Sequence, residues 1–174
     1  MEIEAHHVES NDSFGKIIGI QTAFLAMFLS IFSILSHQTN TESIILVNKA
    51  ADQWSFYQAK KIRNYQLELN SQLLQLMAPT NPLVTKTIAQ YSKQESKYEN
   101  DLTAIMAEAK KIELEGSLVH RKTGYFELAE GLLEISMILS SLYFLSHKKL
   151  FPVLGLFLGI AGGVVGILGL LLLG

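Results

Sequence analysis

The apolar residues of this chain are concentrated near its two ends, while charged residues fill its middle. Residues 17–35 form an uncharged stretch of 19 positions, and residues 150–174 form another of 25 positions. About 20 apolar residues are enough for one helix to cross the hydrocarbon core of a bilayer. The pattern therefore predicts a polar N-terminal tail over residues 1–15, a first membrane span over residues 16–36 and a third span over residues 150–174.

A weaker apolar stretch over residues 125–146 predicts the second span, although Glu130 and Glu134 fall inside it. The basic segment at residues 147–149 separates it from the third span. Because Lys and Arg of short loops stay on the cytoplasmic side, this segment favours a cytoplasmic N-terminus. The opposite orientation is favoured by the basic residues that precede the second span, which are Lys110, Lys111, Arg121 and Lys122.

Between the first and second spans, apolar positions recur with helical spacing. Over residues 83–124, arm two, they step alternately by four and three, as in a coiled coil. Over residues 37–77, arm one, they drift towards the spacing of a nearly straight helix. The predicted seams are Ile44, Val47, Ala51, Trp54, Gln58, Ile62, Tyr65, Leu69, Leu73 and Leu76 in arm one, and Val84, Ile88, Tyr91, Glu95, Tyr98, Leu102, Ile105, Ala109, Ile112, Gly116 and Val119 in arm two.

The segment at residues 78–82 contains two prolines and predicts a tight turn, since proline lacks a helical N–H donor and fits best in a first turn. A turn this short makes the arms antiparallel. The predicted pairs across the hairpin are Leu73 with Ile88, Leu69 with Tyr91, Ile62 with Tyr98, and Trp54 with Ile105 and Ala109. The sequence thus predicts an all-α membrane protein with three transmembrane helices and a long antiparallel coiled-coil hairpin between the first and the second.

Composition argues against several classes of function. The net charge is -2, and no basic stripe is present that could follow a nucleic-acid backbone. The chain has no cysteine, which removes disulfides and thiolate metal sites. Phosphate-binding loops, the nucleophile elbow and the zinc-binding helix motif are all missing from the sequence. We therefore expect no enzyme activity, no cofactor, no metal site and no nucleic-acid partner.

The run DQWSFYQAKKI at residues 52–62 carries the one specific motif of the chain. It resembles the signature of a bacterial membrane family known as domain of unknown function 4337. The resemblance implies a multi-pass protein of the bacterial inner membrane and brings no known activity. Trp54, Gln58 and Ile62 of this run lie on the predicted seam, which indicates a helix contact surface. Gln58 is polar, and a polar seam residue usually fixes register or partner number.

Two further sets of residues stand out in the spans. Small residues let helix backbones approach closely in lipid, so the glycines of the third span predict tight packing, within one chain rather than between chains. They are Gly155, Gly159, Gly162, Gly163 and Gly166. Extending the two seams into the bilayer also predicts that a polar cluster of Ser30, Ser33, His37, Glu130 and Glu134 meets there. Glu134 is expected to point into the helix bundle and to bond to Ser30 or Ser33.

Two function classes follow from these features. The first is a non-enzymatic coiled-coil scaffold or interaction subunit, whose partners are the lipid bilayer and either a second copy of the chain or another membrane protein. The alternative is a proton- or ion-conducting subunit of a membrane motor or channel complex that uses Glu134 and Glu130. A carboxylate that faces lipid in mid-membrane is costly. Glu134 is therefore expected to hold helices together, to snorkel to the membrane surface or to conduct protons.

Overall fold

The computed structural model describes residues 13–171 and places three α-helices in that range. Helix α1 spans Ser13–Met77, α2 spans Pro82–Ser146 and α3 spans Leu150–Leu171. Each contains a stretch long and apolar enough to cross a bilayer, which indicates a multi-pass membrane protein. Helices α1 and α2 pack against each other as a hairpin, so the predicted all-α class is confirmed. The predicted tail over residues 1–15 lies outside the described residues, except for residues 13–15, which open α1.

The turn between α1 and α2 is built by Asn81 and Pro82. The Asn81 side-chain Oδ1 accepts a hydrogen bond of 2.9 Å from the backbone N–H of Leu83. The carbonyl oxygen of Asn81 accepts a further bond from the N–H of Val84 at 3.0 Å. An Asn N-cap followed by proline at the first helical position is a favourable helix start, because proline has no N–H to satisfy there. The turn therefore occupies residues 78–81.

The second connection is shorter and depends on His147. This residue has a φ of 53°, in the left-handed region, and its N–H donates to the carbonyl oxygen of Tyr143 at 2.7 Å. A left-handed residue just after the last helical turn is a common way to end a helix, and histidine tolerates this region better than most side chains. Helix α2 consequently stops at Ser146, and α3 begins at Leu150.

The described chain divides into two compact units. Residues 13–40 and 120–171 form one, which we call the membrane unit because it holds the uncharged stretches of all three helices. Residues 41–119 form the other, which we call the hairpin unit.

Candidate functional site

The membrane unit is organised around the buried face of α2. Phe126, Ala129 and Leu133 pack with Leu25 and Phe32 of α1 in one apolar cluster. The rings of Phe32 and Phe126 are stacked with their centroids 6.3 Å apart. These positions follow the spacing of three and four that places side chains on one face of a helix. The two helices therefore form the core against which α3 is packed.

Helix α3 meets that core through its glycines. A Cβ atom added at Gly155 would lie 2.7 Å from the backbone oxygen of Ser136, and one added at Gly162 would lie 3.1 Å from the backbone oxygen of Ala129. A Cβ atom at Gly159 or at Gly166 would instead meet a side chain of α1, that of Leu25 or of Phe32. Gly163 differs from the other four, since its Cβ would have no neighbour within 4 Å. Gly169, which the pattern did not single out, is buried as well.

Hydrogen bonds join the three helices at the same level. The Gln21 amide nitrogen donates to the Ser140 hydroxyl at 3.2 Å and to the Pro152 carbonyl oxygen at 3.3 Å. The Ser136 hydroxyl donates to the carbonyl oxygen of Gly155. Sequence reasoning missed Gln21, Ser136 and Ser140. A signal was present, because two serines four residues apart in an apolar span share one helix face, as do glycines spaced by four.

A second surface of the membrane unit carries the predicted polar cluster. Ser30, Ser33 and His37 of α1 and Glu130 and Glu134 of α2 line one groove of about 410 Å³, together with Leu29 and Ile34. The structure thus brings all five predicted residues together. The facing pairs Gln21–Ser140 and Phe32–Phe126 place Glu134 near the middle of the apolar stretch of α1.

The position predicted for the Glu134 side chain is wrong. Glu134 is exposed rather than turned into the bundle. The Ser30 hydroxyl, one of its two expected partners, donates instead to the carbonyl oxygen of Ala26 in its own helix at 3.0 Å. The reason is helical geometry, because the position after the buried Leu133 is turned by about 100° from the core face. Glu134 therefore lies on the wall of an open groove.

In the hairpin unit, arm two packs as its heptad pattern indicates. Each predicted seam position of arm two, from Val84 to Val119, is buried or half-buried. Ala109 is fully buried. Gly116 allows a close approach, since a Cβ there would lie 3.3 Å from the Cβ of Leu46. Arm two has a single stripe of this kind, which left no ambiguity about the face that it buries.

Arm one uses a different face from the predicted one. Ile62, Leu69 and Leu73, expected to face arm two, are exposed, as is Gln58. Only Trp54 of the predicted contact motif is half-buried. The face that packs against arm two, which we call the inner face, consists of Ser43, Leu46, Ala50, Gln53, Trp54, Tyr57, Lys60, Asn64, Leu67, Ser71 and Leu74. Small residues such as Ser43 and Ala50 are the ones that this face buries most, and they let the backbones approach.

Polar groups take part in the inner face. Lys60 forms an ion pair with Asp101 of arm two, and the hydrogen bond from Lys60 lowers the pKa of Asp101 below its usual value. The buried Oδ1 atom of Asn64 has no hydrogen-bond partner among the described residues. A buried polar atom that lacks a partner lowers stability. The two arms are therefore held by a contact that mixes apolar, small and polar groups.

The predicted seam residues of arm one form an exposed stripe instead. We call this the outer stripe; it consists of Ile44, Val47, Ala51, Gln58, Ile62, Tyr65, Leu69, Leu73 and Leu76, all of them exposed. Ile62 keeps 57% and Leu69 keeps 56% of its surface accessible. Four of these nine residues lie two positions beyond an inner-face residue, namely Ile62, Leu69, Leu73 and Leu76. Two positions are about 200° of helical rotation, so this part of the outer stripe lies on the side of α1 away from arm two. Val47 and Ala51, at the other end of the stripe, line a groove with Glu113 and Gly116 of arm two and so lie at the edge of the hairpin contact.

No curated protein and no solved structure matches the chain. The model of one family matches residues 14–172, which is nearly the whole length. This confirms the resemblance that was based on the run at residues 52–62. The match includes both units, so neither is an addition to an unrelated protein. The chain belongs to the family described as domain of unknown function (DUF4337).

Proposed function

We propose that this protein is a non-enzymatic membrane-anchored scaffold, whose hairpin unit presents a helical surface to another protein. The outer stripe carries the proposal. Isolated exposed apolar residues are normal on protein surfaces, but a contiguous apolar patch marks an interaction site. Ile62, Tyr65, Leu69 and Leu73 make one continuous helical stripe, since they are spaced by three and four residues.

The choice of inner face strengthens this proposal. Arm one has large apolar side chains available, yet it packs on arm two through a face that contains Lys60, Asn64 and Ser71. Leaving the large side chains in water costs about 25 cal/mol per Å² of apolar surface compared with covering them. A helix whose more apolar face remains uncovered is suited to bind a partner there.

The test is photo-crosslinking in native membranes with the full chain. A benzophenone amino acid at Tyr65, on the outer stripe, should give one discrete crosslinked protein. The same probe at Asn70, exposed beside the stripe, is the matched control and should give little product. If Tyr65 and Asn70 labelled the same diffuse background, the outer stripe would have no protein partner and the proposal would fail.

The polar groove supports a second candidate, a proton- or ion-conducting subunit. Glu130 and Glu134 line a groove with Ser30, Ser33 and His37 inside the membrane unit. Carboxylates at this depth are costly when they face lipid, and they often belong to ion pathways. Under either candidate function, protein or water rather than lipid should contact the carboxylates of this groove. We therefore expect the protein to be a subunit of a larger assembly.

Glu134→Gln separates the two candidates, because glutamine keeps the size of the side chain but cannot exchange a proton. Glu127, exposed on the same helix and absent from the groove lining, provides the control Glu127→Gln. A scaffold in proteoliposomes should give no proton flux in any version. Flux in the unaltered protein that Glu134→Gln abolishes and Glu127→Gln preserves would establish the conducting function.

The orientation in the membrane belongs to the same proposal. We place the N-terminus in the cytoplasm and the hairpin unit on the opposite side of a bacterial inner membrane. A reporter fused at Thr80, in the turn of the hairpin, reads this directly. Activity of a cytoplasm-specific reporter at Thr80 would reverse the orientation and would point to a cytoplasmic partner.

A further inference from the structure

We infer that the partner of the outer stripe is a second copy of this chain, which pairs stripe to stripe in register. This inference rests on the proposed scaffold function and names its partner. Three properties of the stripe carry it: its area, its lack of charge and the single amide at Gln58.

The area of the stripe matches one side of a protein interface. Seven large side chains of the stripe are each about half exposed or more, namely Ile44, Val47, Ile62, Tyr65, Leu69, Leu73 and Leu76. With roughly 200 Å² of accessible surface for a large side chain, they present on the order of 800 Å². A standard interface buries about 800 Å² on each partner. One identical stripe is therefore sufficient to cover the other.

The charge pattern allows identical stripes to meet. None of the outer-stripe residues is charged. Two copies with the same topology in one bilayer have arms that run in the same direction, so symmetry sets each residue opposite its own equivalent. A charged stripe would then place like charges together, which costs several kcal/mol. The neutral stripe carries no such penalty.

Gln58 gives the pairing a defined register. It is the single polar side chain of the outer stripe apart from the phenol of Tyr65. A carboxamide both donates and accepts hydrogen bonds, so it can pair with an identical group across a two-fold axis. A polar residue in an apolar helical seam specifies register and partner number. Gln58 meets this requirement only when the two chains are aligned residue for residue.

A membrane surface fits the stripe less well. Helices that lie on a bilayer are rich in Lys and Arg on their polar face. Arm one instead carries charges of both signs. The acidic residues Glu42, Asp52 and Glu68 are interspersed with the basic ones. Gln58 would gain no specific partner on a bilayer surface. A second copy satisfies both the apolar residues and the amide.

The test uses single cysteines, which the absence of native cysteine makes clean. Leu69→Cys lies on the outer stripe, and Asn70→Cys is the exposed control one residue away. In membranes that contain the full chain, mild oxidation should convert Leu69→Cys to a disulfide-linked dimer and leave Asn70→Cys as single chains. The thiol of the Leu69→Cys variant should also react much more slowly with a water-soluble maleimide than the thiol of the Asn70→Cys variant.

A second variant tests the energetics. Leu69→Asp places a charge opposite its own copy, and we expect association in detergent to weaken about a hundredfold. Its helix content by circular dichroism should remain, since Leu69 is exposed on the side of α1 away from arm two. An unchanged dimer mass by light scattering would overturn the inference.

Other outcomes separate this inference from the proposed function. If the maleimide is slow at Leu69→Cys but oxidation yields no dimer, the inference fails. In that case, a crosslink from the outer stripe to a different protein would still support the proposed scaffold function. Quenching of a fluorophore at this position by spin-labelled lipid would show that the bilayer covers it, and would overturn both. Equal maleimide rates at the two cysteines would also overturn both.

Discussion

The two units of this protein solve helix packing in different ways. In the membrane unit, α3 approaches α1 and α2 through glycines, and the buried positions include Phe126, Leu133 and Ser136 at full burial. In the hairpin unit, arm one buries no large apolar side chain completely and relies partly on Lys60 and Asn64. Lipid provides no hydrophobic force between helices, so close backbone contact and hydrogen bonds must hold the membrane unit.

The hairpin unit does not depend on close backbone contact in this way, and its packing is less complete. Its inner face contains Asn64 with a buried atom that has no partner, while Ile62, Leu69 and Leu73 are exposed. The difference between the units is therefore one of burial: the membrane unit buries large side chains completely, and arm one of the hairpin unit buries none completely. We therefore expect substitutions in the two units to change stability by different amounts and, in one case, in the opposite direction.

The largest effect is expected for Gly155→Ala in the membrane unit. The new methyl group would lie 2.7 Å from the backbone oxygen of Ser136, so a helix must shift. Overpacking usually costs about 1–3 kcal/mol, and we expect about 3 kcal/mol or more here because a backbone atom cannot rotate out of the way. Gly163→Ala is the control, because no atom beyond the local helix backbone lies within 4 Å of that Cβ. Unfolding in mixed detergents with increasing sodium dodecyl sulfate measures both, and equal stabilities would contradict the packing of α3.

A smaller loss is expected for Trp54→Ala in the hairpin unit. Trp54 is half-buried and packs edge-on against Tyr57 with ring centroids 5.7 Å apart. Full burial would make the substitution cost about 3–5 kcal/mol, so half burial indicates about 2 kcal/mol. Phe56→Ala is the matched control, since Phe56 is exposed on the same helix. Thermal unfolding by circular dichroism should rank Trp54→Ala below Phe56→Ala, and the reverse order would refute the inner face.

A gain in stability is expected for Asn64→Leu. Removing a buried polar atom that has no partner recovers its desolvation cost, which is about 1 kcal/mol or more. Asn70→Leu makes the same chemical change at an exposed position and should leave the melting temperature nearly unchanged. A melting temperature that fell for Asn64→Leu would mean that Asn64 has a polar partner in the assembled protein.

The smallest effect is expected for Asp101→Asn, and it should appear as a change in pH dependence. The bond from Lys60 lowers the pKa of Asp101 in the folded protein. Its contribution to stability is therefore present above the ordinary Asp pKa of about 3.9 and is lost as the pH falls through the lowered folded value. The variant should lose that part of the acid dependence of melting, whereas the exposed Glu99→Gln should retain it. Identical acid profiles for Asp101→Asn and the unaltered chain would show that the ion pair between Lys60 and Asp101 does not contribute to stability.

The sequence by itself determined the three spans, the turn and the contacting face of arm two. Charge-free length indicated the spans, and Asn81-Pro82 indicated the start of α2, because both signals are local. Arm two could be read correctly since it carries one apolar stripe. The polar groove was also predictable, because the spacing of Ser30, Ser33 and His37 places them on one helix face and antiparallel pairing brings Glu130 and Glu134 beside it.

The face of arm one and the direction of Glu134 were decided only by the tertiary structure. Periodicity gives the angle of a residue around its helix and does not say which neighbour lies at that angle. Arm one carries two faces, which are about 200° apart at Ile62, Leu69 and Leu73, and hydropathy favours the face with these three residues. The contact formed on the other, because Ser43 and Ala50 allow closer approach and Lys60 meets Asp101. Glu134 likewise lies one position from the buried Leu133, and only the placement of the neighbouring helices fixed which side of that boundary it occupies.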